Sequence, residues 1–120
     1  MSKIKKCLIV DDEKSIRSVV GNILAEENCE VVGSVESAEA ASEHLKENEV
    51  DVIFLDINLP GASGLALLKE IRKHNKKIKI VMMSGDATAE NVTKAIEQGI
   101  DGFVRKPFTH VKIAEVLTRC

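Results

Sequence analysis

The polar residues that could do chemistry recur in one position, directly behind a short apolar run. Asp11, Asp12 and Glu13 follow Cys7-Leu8-Ile9-Val10, and Asp56 and then Asn58 follow Val52-Ile53-Phe54-Leu55. Ser84, Gly85 and Asp86 follow the run from Ile78 to Met83, and Lys106-Pro107 follows Gly102 to Arg105. If these runs are parallel strands of one sheet, the residues behind them share an edge. Three carboxylates, a hydroxyl and an ammonium then face one crevice. Like charges about 4 Å apart repel by roughly 4 kcal/mol at an effective dielectric near 20. Asp11, Asp12 and Asp56 therefore need a counter-charge. Lys106 supplies one positive charge, and a hard divalent cation would supply two. An all-oxygen donor set with no His or Cys beside it suits Mg2+ and suits zinc poorly. Taken singly, each feature has an ordinary explanation: an Asp pair caps a helix, a lone Asp closes a turn, and Lys-Pro makes a turn. Together, in one order and each closing an apolar run, they point to a built site.

The elements that must position these residues are read from periodicity. Continuous apolar runs suit strands buried on both faces. Glu30 to Val35 and Gly102 to Arg105 read as two weaker strands. Between the runs lie helical stripes. Ile16, Val19, Val20, Ile23 and Leu24 form the first, and Ala38, Ala41 and Leu45 the second. Leu65, Leu68 and Ile71, with Leu67 alongside, form the third. Val92, Ala95 and Ile96 make a thin fourth, and Ile113, Val116 and Leu117 a fifth. Thr88 and Thr109 suit N-caps of the last two helices, and Gly99 suits the stop of the fourth. Five βα units predict an α/β fold: a doubly wound parallel sheet with helices on both faces and right-handed crossovers. Five strands favour the flavodoxin-like order 2-1-3-4-5, although periodicity alone does not select it. In either common order, ligands bind beyond the carboxyl ends of the strands.

Composition narrows the function classes. The 120 residues suit one domain spanning 1–120, with 44% hydrophobic and 30% charged residues. No apolar run is long enough to cross a bilayer, so no membrane association is expected. Lys+Arg 17 against Asp+Glu 19 leaves a net charge of -2, which argues against a general nucleic-acid binder. Aromatic residues are 2% with no Trp or Tyr, which removes base stacking as a mode of binding. Cys7, Cys29 and Cys120 have neither zinc-knuckle nor CxxC spacing and read as free thiols of a reducing cytoplasm. The opening Met1-Ser2-Lys3-Ile4-Lys5-Lys6 is basic, but the apolar stretch behind it is too short for a signal peptide, so the expected location is cytoplasmic. The basic run Lys69, Arg72, Lys73, Lys76, Lys77 and Lys79 reads as a solvated helix C-terminus. His44, His74 and His110 lack ligand spacing.

The segments Leu8-Ile9-Val10-Asp11-Asp12, Asp56-Ile57-Asn58-Leu59-Pro60-Gly61, Gly64, Met83-Ser84-Gly85 and Lys106-Pro107-Phe108 together resemble the response-regulator receiver domains of two-component signalling. The resemblance covers essentially the whole chain and implies the order 2-1-3-4-5. It implies that Asp56 is the phospho-acceptor, taking a phosphoryl group from the phosphohistidine of a sensor histidine kinase. It implies Mg2+ held directly by Asp12 and Asp56, by Asp11 mainly through water, and by the backbone carbonyl of Asn58. Lys106 would contact a phosphoryl oxygen, the Ser84 hydroxyl would bond a second one after phosphorylation, and the Lys106-Pro107 bond would be cis. Phe103 stands where the family carries its aromatic switch. It would swing inward when Ser84 moves and reshape the face of the fourth helix, fifth strand and fifth helix. Many chemotaxis-type members have Tyr at this position, and Phe lacks that hydroxyl. The thin fourth stripe suits a mobile element.

Two other classes fit less well. A haloacid-dehalogenase-type Mg2+ phosphatase needs a second Asp two residues after its nucleophile, and that position is Asn58. A flavodoxin-like FMN carrier needs a Ser/Thr/Gly-rich phosphate loop after its first strand, where Asp11-Asp12-Glu13 would repel a phosphate. The expected protein is a stoichiometric phospho-acceptor, capable of self-phosphorylation and self-dephosphorylation, rather than an enzyme. Expected partners are the kinase and a downstream protein docking near the fourth helix, fifth strand and fifth helix, with the chain a monomer or a weak phosphorylation-dependent dimer. The chain ends soon after the fifth helix, which suits a standalone chemotaxis-type regulator; a phosphorelay carrier or a receiver fragment of a larger regulator is the alternative.

Overall fold

The structure, a computed structural model, describes residues 4–120; Met1, Ser2 and Lys3 of the basic opening segment lie outside the described residues. Strands and helices alternate: β1 (Lys6–Val10), α1 (Lys14–Glu26), β2 (Glu30–Val35), α2 (Ala38–Glu47), β3 (Val52–Asp56), α3 (Gly64–His74), β4 (Lys79–Ser84), α4 (Ala89–Gln98), β5 (Gly102–Arg105) and α5 (His110–Leu117). The five strands pair in parallel in the order β2-β1-β3-β4-β5. No helix among the described residues is long and apolar enough to cross a membrane.

The continuous apolar runs are buried on both faces, as expected of a parallel sheet covered by helices. Successive side chains of a strand point to opposite faces. Leu8, Val10, Ile53, Leu55, Ile80 and Met82 accordingly pack with Ala41 of α2, Leu68 and Ile71 of α3 and Ala95 of α4. Cys7, Ile9, Val52, Phe54, Val81 and Met83 pack on the other face with Val20 and Leu24 of α1 and Ile113 and Val116 of α5.

Helix boundaries follow their caps. The Ser37, Ser63, Thr88 and Thr109 hydroxyls each accept an amide proton from the first turn of α2, α3, α4 and α5. Gly99 closes α4 in the left-handed region at φ 88°, where a side chain would be strained. Two stripes are rotated from the sequence expectation. Val19 is 46% exposed at the edge of the α1 stripe, and in α3 it is Leu67 rather than Leu65 that is buried. The fourth stripe is as thin as expected: only Ala95 is buried and Ile96 is 63% exposed.

Candidate functional site

Strand register brings the acidic residues together. Val10 pairs with Leu55, so Asp11 and Asp56 leave the sheet side by side at its carboxyl edge. Asp56 pairs with Met83, and Ser84 with Arg105, which places Ser84 and Lys106 at the same edge. The entry of α3 is held close behind. The Gly64 amide donates to the Ile57 carbonyl at 2.7 Å, and a Cβ at Gly64 would overlap the Asp56 carbonyl oxygen. Only glycine allows this approach.

Carboxylate oxygens of Asp11, Asp12 and Asp56 all lie within 4.8 Å of one another. Asp11 and Asp56 are buried, while Asp12 faces solvent. Lys106 reaches in from the end of β5, with Nζ 2.7 Å from Asp11 Oδ2 and 3.4 Å from Asp56 Oδ2. Asp11 also does the ordinary work of a turn residue, since its Oδ1 accepts the Glu13 amide at 2.9 Å. Its Oδ2 is buried and accepts no hydrogen bond of good geometry, so its contact with Lys106 is ionic. The Asn58 amide donates to Asp56 Oδ1 at 3.3 Å, and Asn58 itself is exposed.

Burial raises the Asp56 carboxyl above the ordinary carboxylate range, and the Asp11 charge adds to that effect. The Lys106 charge and the Asn58 amide pull the other way without cancelling it. Burial works to lower the Lys106 ammonium, but its contacts with Asp11 and Asp56 outweigh burial and hold it above its usual range. Three carboxylates against one ammonium leave two negative charges in the crevice when all are ionised. That excess and the all-oxygen donor set fit a hard divalent cation.

Ser84 is fully buried at the end of β4, where its Oγ accepts the Asp86 amide at 3.0 Å. A cavity of about 230 Å3 opens beside it, lined by Gly85 to Thr88 and by Arg105 and Lys106. The Lys106-Pro107 bond is cis, as the resemblance implies. Phe103 is half-buried on β5 and packs against the α2–α3–α4 face of the core.

The chain matches the family model for the response regulator receiver domain over residues 7–118. It belongs to that family. The receiver is 31% identical over 121 residues to the chemotaxis protein CheY-3 of Vibrio cholerae, covering 99% of this chain and 93% of that one. It is 32% identical over 114 residues to the chemotaxis protein CheY of Bacillus subtilis, covering 95% of each. Among solved structures it superposes on a CheY-like receiver domain protein from Methanospirillum hungatei with a TM-score of 0.90 at 28% identity, covering 97% and 92% of the two chains. It also matches NtrX from Brucella abortus with a TM-score of 0.89 at 35% identity, covering 98% of this receiver but 26% of that chain.

One residue that sequence reasoning missed supports this site from behind. Arg17 on α1 donates from Nη1 to the Asp11 carbonyl at 2.7 Å, fixing the turn that carries both leading carboxylates. Nothing in its spacing from Asp11 marks that contact. The basic run of α3 is also only partly solvated, because Arg72 is half-buried in a network at the other end of the sheet.

Proposed function

We propose that this receiver is a stoichiometric phospho-acceptor of 1–120 as one domain, taking a phosphoryl group from a histidine kinase onto Asp56. The observation that carries the reading is the Asp56 carboxylate, buried at the sheet edge with Asp11, Asp12 and Lys106 around it. A carboxylate oxygen of Asp56 attacks phosphorus as the bond from phosphorus to the donor histidine nitrogen breaks. Asp12 and Asp56 would hold Mg2+ directly, Asp11 mainly through water, with the Asn58 carbonyl as a further ligand. The cation supplies charge stabilisation for the phosphoryl oxygens. Lys106 neutralises one phosphoryl oxygen, which requires it to leave its contacts with Asp11 and Asp56 in part.

Ser84 Oγ accepts the Asp86 amide, and its own proton would go to a second phosphoryl oxygen. Its movement would shift the Gly85–Thr88 segment ahead of α4, the helix held by one fully buried side chain. Phe103 then turns inward from its half-buried position, and the α4–β5–α5 face changes for a downstream protein or a weak dimer. The near-complete coverage of chemotaxis relatives favours a chemotaxis-type, cytoplasmic output. The NtrX match, which covers a quarter of that chain, favours the second reading of a receiver within a larger regulator.

Incubation with a small phosphodonor and Mg2+ should add one phosphoryl group by intact mass. Asp56→Asn or removal of Mg2+ should abolish it. An adduct of equal yield in Asp56→Asn would overturn the assignment.

A further inference from the structure

The basic run of α3 lines one wall of a groove. Lys69, Arg72 and Lys73 recur at the i, i+3, i+4 spacing that puts residues on one helix face, and Lys76 continues the row just past the helix. The groove between α3 and the end of α4 has a volume of about 740 Å3, with these four cations on one side and Gln98 to Asp101 on the other. Gly99, in the left-handed region where it closes α4, leaves that far wall without a side chain. Four positive charges thus face one negative charge in a chain whose net charge is -2.

The fold itself uses little of this charge. Arg72 alone donates to the Asn75 carbonyl at 3.3 Å and the Gly99 carbonyl at 2.8 Å, and with Lys79 it holds Asp101. Lys69 and Lys76 have no ionic partner among the described residues, and Lys73 has only Glu70, at 3.8 Å in reach of water. All three lysines are exposed. Like charges four residues apart on a helix repel, so Lys69 and Lys73 together work against α3. The helix dipole favours cations in the last turn but does not choose the side of the helix on which they stand.

We propose that this groove is a docking site for an extended acidic segment of a partner protein, with carboxylates at alternate positions. Lys69 and Lys73 are about 6 Å apart along α3 at ~1.5 Å per residue. Alternate side chains of an extended chain share a face and are about 6.6 Å apart. Two such carboxylates meet the two lysines, and the bare wall at Gly99 admits the backbone of the segment. The lining selects the class of partner. Tight binding of a nucleic acid draws on many phosphate contacts and on base stacking, whereas the groove offers four cations and no aromatic residue. A bilayer surface needs an apolar wedge, and the one apolar side chain here, Ile100, is half-buried. The groove opens at the amino edge of the sheet, away from Asp56, so a segment docked there does not compete with phosphoryl transfer.

The test titrates the whole chain with a synthetic Glu-Ser repeat peptide at low ionic strength and follows the backbone amides by NMR. Shifts should concentrate at Lys69, Lys73, Lys76 and Gly99. Lys69→Gln combined with Lys73→Gln should weaken the affinity at least about five-fold, because two ion pairs are lost. Raising the salt to about 1 M should do the same, as the screening length falls to about 3 Å. Lys46→Gln combined with Lys112→Gln makes the same change in net charge on α2 and α5, and should alter the affinity less than about two-fold. No binding, equal binding of a Gln-Ser peptide, an equal loss in the Lys46 and Lys112 variant, or shifts centred away from the groove would each overturn the proposal. So would a single-stranded DNA of matched charge that binds the groove more tightly than the peptide.

Discussion

Two charged clusters sit at opposite edges of the same sheet and differ in how completely they are satisfied. At the amino edge of β4 and β5, Arg72 donates to the Ile78 carbonyl at 2.6 Å, the Gly99 carbonyl at 2.8 Å and Asp101 Oδ2 at 3.0 Å. Asp101 Oδ2 accepts the Ile80 amide as well, at 2.9 Å. Asp101 meets two cations, Arg72 closely and Lys79 at 3.9 Å, and the guanidinium fork ties the ends of α3 and α4 to the starts of two strands. At the carboxyl edge, Lys106 is shared between two buried carboxylates, a third stands beside them, and Asp11 Oδ2 accepts no well-formed hydrogen bond. A saturated network holds structure together. An unsaturated one, left with excess charge inside a fold, holds its geometry for something that arrives later.

The contrast is broken most directly by deleting Arg72. Arg72→Ala removes the side-chain donor of the Ile78 and Gly99 carbonyls and leaves Asp101 with the Ile80 amide and the more distant Lys79. With side chains 14% and 25% exposed, the pair is desolvated enough that the loss should reach about 3 kcal/mol in urea unfolding. A loss under about 1 kcal/mol, in the range of exposed pairs, would show that the network is not a structural staple.

The next effect belongs to the other edge. Mg2+ at a hundred times its dissociation constant should stabilise the native chain by about 2.7 kcal/mol. Thermal melts with and without the ion read this directly. Asp12→Asn and Asp56→Asn should each lose most of it, whereas Arg72→Ala should keep it on a lower baseline. Stabilisation retained in Asp56→Asn would move the cation elsewhere.

Without Mg2+, the sign at Asp56 reverses the usual consequence of deleting a charge. Its carboxyl titrates above the ordinary range in the folded chain, because of burial first and the Asp11 charge second. The fold therefore favours the protonated form. That contribution is complete below the ordinary carboxylate range and is lost as pH rises through the raised folded value. At neutral pH the ionised Asp56 works against the fold, so in a chelator Asp56→Asn should raise Tm by roughly 4 °C, as about 1 kcal/mol would. The advantage should vanish on acidification below the ordinary carboxylate range. A lower Tm for Asp56→Asn at neutral pH would mean that Lys106 compensates the site fully.

How much of this was legible depends on how local the signal is. Asp11, Asp12, Asp56, Ser84 and Lys106 each follow an apolar run directly, so reading the runs as strands placed them at one edge. The thinness of the α4 stripe was likewise local. Arg72 and Asp101 are far apart in the chain, and Arg72 stands in a run of basic residues whose members look alike until the fold selects one. The helix-dipole explanation of that run serves Lys69 and Lys76 but not the residue that matters most for stability. The meeting of Cys7, Cys29 and Cys120 was equally hidden, because it depends on strand register and on where α5 ends. Asp11 shows a different limit. It caps no helix, since α1 begins without a side-chain cap, yet its carboxylate serves a turn through one oxygen and the crevice through the other.

The smallest predicted effect tests whether satisfaction, rather than the mere presence of charge, separates the two edges. Glu70, two residues before Arg72 on α3, contacts Lys73 at 3.8 Å and His74 at 3.2 Å within reach of water. It has two side-chain partners, as Lys106 does, but its side chain is 58% exposed. Solvent screens such contacts, and ordering the side chains offsets what remains. Glu70→Gln should therefore change unfolding stability by less than about 0.5 kcal/mol. A cost comparable with that of Arg72→Ala would mean that charge count along α3, and not the desolvated fork of one arginine, holds the amino edge together.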